Sequence, residues 1–344
     1  MQRICNSLAC NGFEVLLIGR KKAGSLPLSP ATYEQKRLNC WFNKGKLFYI
    51  EYSFRLFFLL LRLPTNYISS VDVDTLLPCL LASRLRSKKC IFDAHEYFTE
   101  VPEVVNRPNI KKIWSFLSNF LIPKVDLAYT VSQSLQELFT QQYHTEFHLI
   151  RNISVSTPLL ADLSNKNILL YQGALNEGRG IEALLEAIQP LEQVELWIAG
   201  EGDLSQQLRS LATELQITHK VKFLGYVLPQ ELRLLTSKAT IGINLLENTG
   251  LSYYYSLANK TFDYIHAGLP AIHPQFPEYE RLNVQYNIAH LVTDLAPATI
   301  QSAILQLIKD KAYYLELRNN CIAAAKVLNW EQEEQRLLDL YKQL

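Results

Sequence analysis

No apolar run in this sequence approaches the ~20 residues that a membrane-spanning helix needs. The most membrane-like stretch, YSFRLFFLLLRL at 52–63, carries Arg55 and Arg62 and reads as a buried or interfacial helix. Paired cysteines are missing too. The six present, Cys5, Cys10, Cys40, Cys79, Cys90 and Cys321, form no C-x-x-C and lie mostly in apolar contexts. Reduced, buried thiols of a cytosolic protein are expected. His and Cys gather nowhere in a metal-ligand spacing, so no metal is expected. Charge of one sign is also lacking: the formal net charge is +1. A nucleic-acid binder usually shows a basic excess, and none is expected as a partner. The opening residues, MQRICNSLACNGFEVLLIGR, hold no long apolar stretch of the kind a secretory leader has, which points to the cytoplasm.

What the chain does have is length and apolar content. Its 344 residues, 48% hydrophobic and 19% charged, suit two globular domains better than one. Short apolar strands alternate with helical stretches almost throughout. Residues 2–10 read as a helix and FEVLLIG as a strand. NYISSVDVD and TLLPCLLASRL repeat the strand–helix pairing, as do DLAYTVS and QSLQELFTQQY. Such alternation predicts parallel sheets covered on both faces. A helix-first start is odd for a doubly wound domain, which begins with a strand and a Gly-rich turn. The expectation is that the N-terminal domain lacks its first strand or that Met1 is internal to a longer frame. Ser-, Asn- and Pro-rich residues 154–167 read as a linker. The expected domains are then 1–153 and 168–328, with 329–344 as a C-terminal helix able to pack back on the first.

Three stretches could carry chemistry. YQGALNEGRG at 171–180 reads as a strand ending at Gly173 and a helix beginning near Gly180. A helix N-terminus suits phosphate. Arg179 sits against the macrodipole there, which calls for an anionic partner, unless the stretch is a plain turn with an exposed arginine. AGEGDLSQQL at 199–208 is strand, Gly200-x-Gly202, then helix. It lacks the third glycine and downstream acid of a dinucleotide site, and Asp203 reads as an N-cap. NKTFDYIHAGLP at 259–270 puts Lys260 and Asp263 on one face of a helix expected over 253–267. They could form a salt bridge, or meet a diphosphate and a ribose.

As a series these stretches resemble the GT-B glycosyltransferases, most closely family four, the bacterial "group one" set. The order is Gly-x-Leu with Arg179-Gly180, then Gly200-Glu-Gly202-Asp, Phe-Leu-Gly-Tyr226, and Asn259-Lys260-x-Phe-Asp263-Tyr with Ala-Gly-Leu-Pro. The likeness is strongest from 168 to 294. It implies an α/β fold of two Rossmann-like domains facing a cleft, and an enzyme transferring a sugar from a nucleoside-diphosphate sugar to a hydroxyl with retention. Arg179 then binds the diphosphate and Asp263 matches the second acid of the Glu-x7-Glu motif, the ribose ligand. The first acid falls on Tyr255 and a further common arginine on Ala174, leaving Lys260 as the second cation. Gly173, Gly200, Gly202, Tyr226 and Asn259 complete the donor side. The loop 246–256 is expected at the sugar.

In the first domain, FDAHEYFTEVPE at 92–103 follows a strand. His95 resembles the family's histidine near sugar and acceptor, with Glu96 and Glu100 as rivals for a base. A lone histidine is more often structural; its place at a strand end favours function. VDVD at 71–74 is a chance Asp-x-Asp, with Asp74 a helix-start residue. Residues 106–124, with Arg107, Lys111, Lys112, Lys124 and three aromatics, read as a surface helix with a membrane-facing alternative. The implied partners are a nucleotide sugar as co-substrate, a glycan, lipid-linked or other hydroxyl acceptor, and a peripheral contact at the inner face of the plasma membrane; no separate cofactor is implied. A sugar-nucleotide 2-epimerase and a non-catalytic GT-B-like subunit are the alternatives.

Overall fold

A computed structural model describes residues 1–344 except 23, 26, 157–160 and 162–166, and says nothing of the side chains at 102 and 103. Most of the expected 154–167 linker therefore lies outside the described residues. The chain divides into two compact units, Met1–Arg151 with Glu333–Leu344, and Asn152–Gln332.

The first unit opens with α1 (Gln2–Cys10), β1 (Leu16–Arg20), β2 (Glu34–Leu38) and α2 (Gly45–Arg62). It continues through β3 (Tyr67–Val71), α3 (Asp72–Leu85), β4 (Lys89–Ala94), α4 (Pro102–Val105) and α5 (Pro108–Leu121). β5 (Leu127–Thr130), α6 (Gln133–Tyr143) and β6 (Phe147–Leu149) complete the series. β3 to β6 pair in sequence order as a parallel sheet, while β1 and β2 pair with each other. The central strand β4 is buried from Cys90 to Ala94, as a strand covered on both faces must be. β2, EQKRL, was not legible in the sequence: it carries three charges and only one large apolar residue.

The second unit contains β7 (Asn167–Gln172), α7 (Ile181–Ile188), β8 (Val194–Ala199), α8 (Ser205–Glu214), β9 (Val221–Gly225) and α9 (Pro229–Thr236). Next come β10 (Ile241–Ile243), α10 (Leu251–Tyr254), α11 (Asn259–His266), β11 (Ala271–Pro274), α12 (Pro277–Tyr286) and β12 (Ala289–Val292). Helices α13 (Pro297–Lys309), α14 (Lys311–Ala325) and α15 (Trp330–Lys342) follow. All six strands are parallel, in the order β12-β11-β10-β7-β8-β9. The order reverses at β7, and a doubly wound sheet binds ligands at the strand C-termini beside such a switch point.

Two local expectations need correction. The helix expected over 253–267 is two helices: Ala258 is extended and gives its N–H to the Tyr279 hydroxyl at 3.1 Å, which interrupts it. Lys260 therefore lies in the first turn of α11, and Tyr255 lies outside that helix. Asp203 does not cap α8; its own N–H is taken by Asn176 Oδ1 at 3.2 Å, while Ser205 Oγ accepts from Gly202 N at 2.9 Å. At the C-terminus, α15 passes into the first unit. Glu333 is bonded there by the backbone and guanidinium of Arg151, and Tyr341 meets the rings of Phe13 and Tyr67.

Candidate functional site

At the switch point the ends of β7, β8 and β10 meet the first turns of α7 and α11. The turn after β7 is held against the turn after β8. Gly173 N donates to Ala199 O at 3.0 Å, and a Cβ on Gly200 would lie 1.9 Å from Gly173 O. Only glycine fits that approach.

Lys260 is 8% exposed. Its Nζ lies 4.0 Å from the centroid of the Tyr171 ring and 3.4 Å from where a Cβ on Gly173 would stand. The Tyr171 hydroxyl is anchored on Ala174 O at 2.8 Å, so the ring is fixed beneath the ammonium. Burial, and then the neighbouring Arg179 guanidinium, push the Lys260 pKa well below its ordinary value. Arg179 is half-buried, stacks over Tyr253 at 4.8 Å, and leaves a buried Nε without a partner. Among the described residues neither cation has a carboxylate partner. Two cations thus stand together with no anion between them, an arrangement burial makes costly until an anion arrives.

Asp263 is on the same helix but is already engaged. Gln172 Nε2 donates to its Oδ2 at 2.7 Å, and Ser154 Oγ donates to Oδ1. The shorter side chain reaches these protein donors and spends an acceptor site on each. The N-terminus of α7, expected to be free for phosphate, has the Glu247 carboxylate beside it, with Gly180 N favouring its charged form. Burial first, and then Glu182, raise the Glu247 pKa. Asn259 is exposed at the first position of α11, Gly202 is exposed after β8, and Tyr226 stands 78% exposed past the edge strand β9. The arrangement therefore gathers Gly173, Arg179, Gly200 and Lys260, and leaves Tyr226 outside the packed part.

Several members were not found in the sequence. Tyr171 was legible only as part of a strand, and Tyr253 only as one residue of the loop 246–256 expected at the sugar. Buried Asn244 carries an unpartnered Oδ1, and its Nδ2 meets His273 Nδ1 at 3.2 Å. Burial, then Lys260, drive the His273 pKa down to about 3, so it stays neutral, stacked on Tyr279. The legible signal was Glu247, the single acid between Thr240 and Phe262.

In the first unit, His95 sits past the end of β4. Its Nε2 is 3.0 Å from Asp93 Oδ2, and its backbone N–H donates to Asp72 Oδ1 at 2.9 Å. Burial alone would lower the imidazole pKa, but the Asp93 hydrogen bond and the charges of Asp93 and Asp72 outweigh it and raise it. Burial raises the Asp72 pKa despite His95 beside it. Asp72 opens α3 in the left-handed region (φ 55°), uncommon for a residue with a side chain, whereas Asp74 lies within the first turn. Of the rival acids, Glu100 is bound by Lys111 at 2.6 Å.

Residues 160–328 match the family model described as glycosyl transferases group 1. That segment belongs to the group 1 glycosyl transferases. The chain is 30% identical over 76 residues to the lipopolysaccharide core biosynthesis glycosyltransferase LpsE of Rhizobium meliloti, covering 22% of each protein. It is 34% identical over 80 residues to an uncharacterised glycosyltransferase of Methanocaldococcus jannaschii, covering 22% of this chain and 20% of that one. The chain thus aligns with about a fifth of the length of these relatives. Among solved structures, sucrose-phosphate synthase from Thermosynechococcus elongatus superposes with a TM-score of 0.80 at 17% identity, over 99% of this chain and 91% of that one. Anabaena HepE in complex with UDP and glucose gives 0.77 at 14%, over 100% and 96%. The lipopolysaccharide glycosyltransferase WaaG gives 0.74 at 13%, over 98% and 94%. These likenesses establish the GT-B fold; the group 1 segment contains every residue of the second-unit site except Ser154.

Proposed function

We propose that the group 1 segment holds the diphosphate of a nucleoside-diphosphate sugar between Arg179 and Lys260, and that the chain transfers the sugar to an acceptor hydroxyl with retention. The observation that carries this reading is the pair itself: two basic side chains at a topological switch point, the ammonium depressed by burial and then by the guanidinium beside it, with no carboxylate partner among the described residues. The positive end of α11 adds to the same potential.

As the anomeric bond breaks, charge grows on the departing diphosphate and an oxocarbenium-like centre forms, by analogy with glycoside hydrolysis. Arg179 and Lys260 are already fixed by Tyr253 and Tyr171, so they stabilise that charge without reorganising. Their two charges take the place a donor-chelating metal fills elsewhere. Asp263 keeps acceptor capacity on both oxygens for ribose hydroxyls beside its bonds to Gln172 and Ser154. His95, paired with Asp93, serves the acceptor side. The same reading places the reaction in bacterial surface-glycan or glycolipid assembly, in the cytoplasm at the inner face of the plasma membrane.

The test is a panel of UDP-, GDP- and ADP-sugars in isothermal calorimetry, followed by turnover with Arg179→Ala. Binding of one donor class that falls by about tenfold or more in Arg179→Ala supports the reading, each lost charge-assisted bond contributing about 1.5–3 kcal/mol. Unchanged binding and turnover in the variant would remove the diphosphate assignment. Release of nucleoside diphosphate only when acceptor is supplied separates transfer from epimerisation.

A further inference from the structure

β4 ends on Asp93 and Ala94, and His95 follows. Asp93 is paired in register with Val71 of β3 and Tyr129 of β5, in the middle of the sheet, and is 1% exposed. A carboxylate so placed cannot keep its charge without a counter-charge. Among the described residues it meets no lysine or arginine. Its ion-pair partner there is His95, whose Nε2 lies 3.0 Å from Oδ2. The other oxygen, Oδ1, is buried and accepts no hydrogen bond from the described residues. The imidazole is what is left to balance it.

His95 is held from a second side. Asp72 follows β3 in the left-handed region, and its Oδ1 takes the backbone N–H of His95 at 2.9 Å. The backbone of His95 is thus tied to Asp72 and its ring to Asp93, from adjacent parallel strands. Two anchors leave the ring one orientation. Nε2 is turned to the buried carboxylate. Nδ1 has no partner among the described residues, and the side chain is 23% exposed. It stands past the C-terminal end of a parallel strand, where such sheets bind ligands.

A neutral ring with Nε2–H on a carboxylate would leave Nδ1 an acceptor; a charged ring donates from both nitrogens. The groups around it favour the charged ring. Asp93 and Asp72 outweigh burial and the α-amino group of Met1, which act the other way. Glu96, next in the chain, adds negative charge beside Asp72. Cys5 on α1, Tyr129 on β5 and Tyr341 on α15 face Asp93, and burial raises the pKa of each, so none brings a charge.

We infer that Asp93 and Asp72 are positioning residues that lock the His95 ring with Nε2 inward, so that Nδ1–H meets an oxygen of the acceptor as a hydrogen-bond donor and not as a base. The inference rests on the acceptor-side reading of His95 above and deepens it, naming the nitrogen that works and its protonation state. His95 then orients the acceptor and does not take its proton.

The test is a nitrogen-15 NMR titration of the imidazoles in the full chain without nucleotide, so its outcome is separate from that of donor binding. His95→Gln assigns the signal, and His219 in the second unit is the control. The His95 midpoint should lie above the ordinary 6.5, and the proton lost as pH rises should leave from Nδ1. Asp93→Asn should lower the midpoint by about one pH unit or more, since it removes a hydrogen-bonded charge. Asp72→Asn should lower it less; asparagine tolerates the left-handed turn and keeps an oxygen for the His95 N–H. A merely structural role would move neither. Should Asp93→Asn fail to fold by circular dichroism, Asp72→Asn and the wild-type titration carry the test. A wild-type midpoint at or below 6.5, or loss of the proton from Nε2, overturns the donor role. Midpoints unmoved in both variants overturn the positioning roles. In turnover, His95→Gln should raise the acceptor KM about tenfold and spare kcat, as loss of a charge-assisted hydrogen bond would; a fall in kcat with KM unchanged overturns the donor role in favour of a base. A donor panel without binding beside the expected titration removes the diphosphate assignment and leaves the lock standing.

Discussion

Gln172 Nε2 lies 2.7 Å from Asp263 Oδ2, joining the last residue of β7 to α11. The bond is charge-assisted, and Thr236 Oγ, 3.2 Å from Gln172 Oε1, holds the other end of the amide. Asp263 is thus a structural acceptor before it is a ligand for anything else. Gln172→Ala and Asp263→Asn should each destabilise the protein, and their double-mutant cycle in urea unfolding should show a coupling of about 1–2 kcal/mol. Additive losses would mean that the bond contributes nothing in solution.

Binding of a nucleoside diphosphate should take up protons. The Lys260 pKa is depressed by burial and by Arg179, and an anion between the two cations raises it again. At a pH between the depressed value and the ordinary 10.5, calorimetry in buffers of different ionisation enthalpy should show net uptake, absent in Lys260→Met. The unliganded protein gives the matching sign. In that window the unfolded chain holds the proton that the folded one has lost, so the Lys260 contribution to stability rises with pH. Proton release on binding would contradict the assignment.

Gly200→Ala should disrupt the site and Gly19→Ala should not. The first would drive a Cβ to 1.9 Å from Gly173 O at a backbone φ of +152°, while at Gly19 nothing lies within 4 Å. The expected loss for Gly200→Ala is on the order of 2–4 kcal/mol, with nucleotide affinity lost as the two turns part. Gly19→Ala should stay within about half a kcal/mol. Thermal unfolding of both variants checks the contrast; equal midpoints would show that the two turns can separate freely.

The α/β alternation was readable because parallel strands are buried on both faces. Runs such as ILLY in β7 and CIF in β4 stand out against any neighbouring helix. β2 was not, because EQKRL has neither an apolar run nor a clean alternation. The break between α10 and α11 was hidden for a different reason. What interrupts the helix is the Tyr279 hydroxyl, some twenty residues downstream, and no local pattern announces it. Similarly, Arg179 and Lys260 could be named from their motifs, but that Glu247 would reach the N-terminus of α7 could not.

The residues themselves determined the chemistry available: a near-neutral chain in two α/β halves, an arginine after the first strand of the second half, and a lysine and an aspartate three apart before Gly-Leu-Pro. Spacing along a helix or at the end of a strand fixes such things, because the backbone repeats them wherever they occur. The tertiary structure decided which charges have partners. Asp263 found Gln172 and Ser154, and Lys260 was left against an aromatic ring with Arg179 beside it. Pairing depends on distances of a few ångströms between residues far apart in sequence, and in a buried place those distances decide whether a charge is satisfied or waits for a ligand.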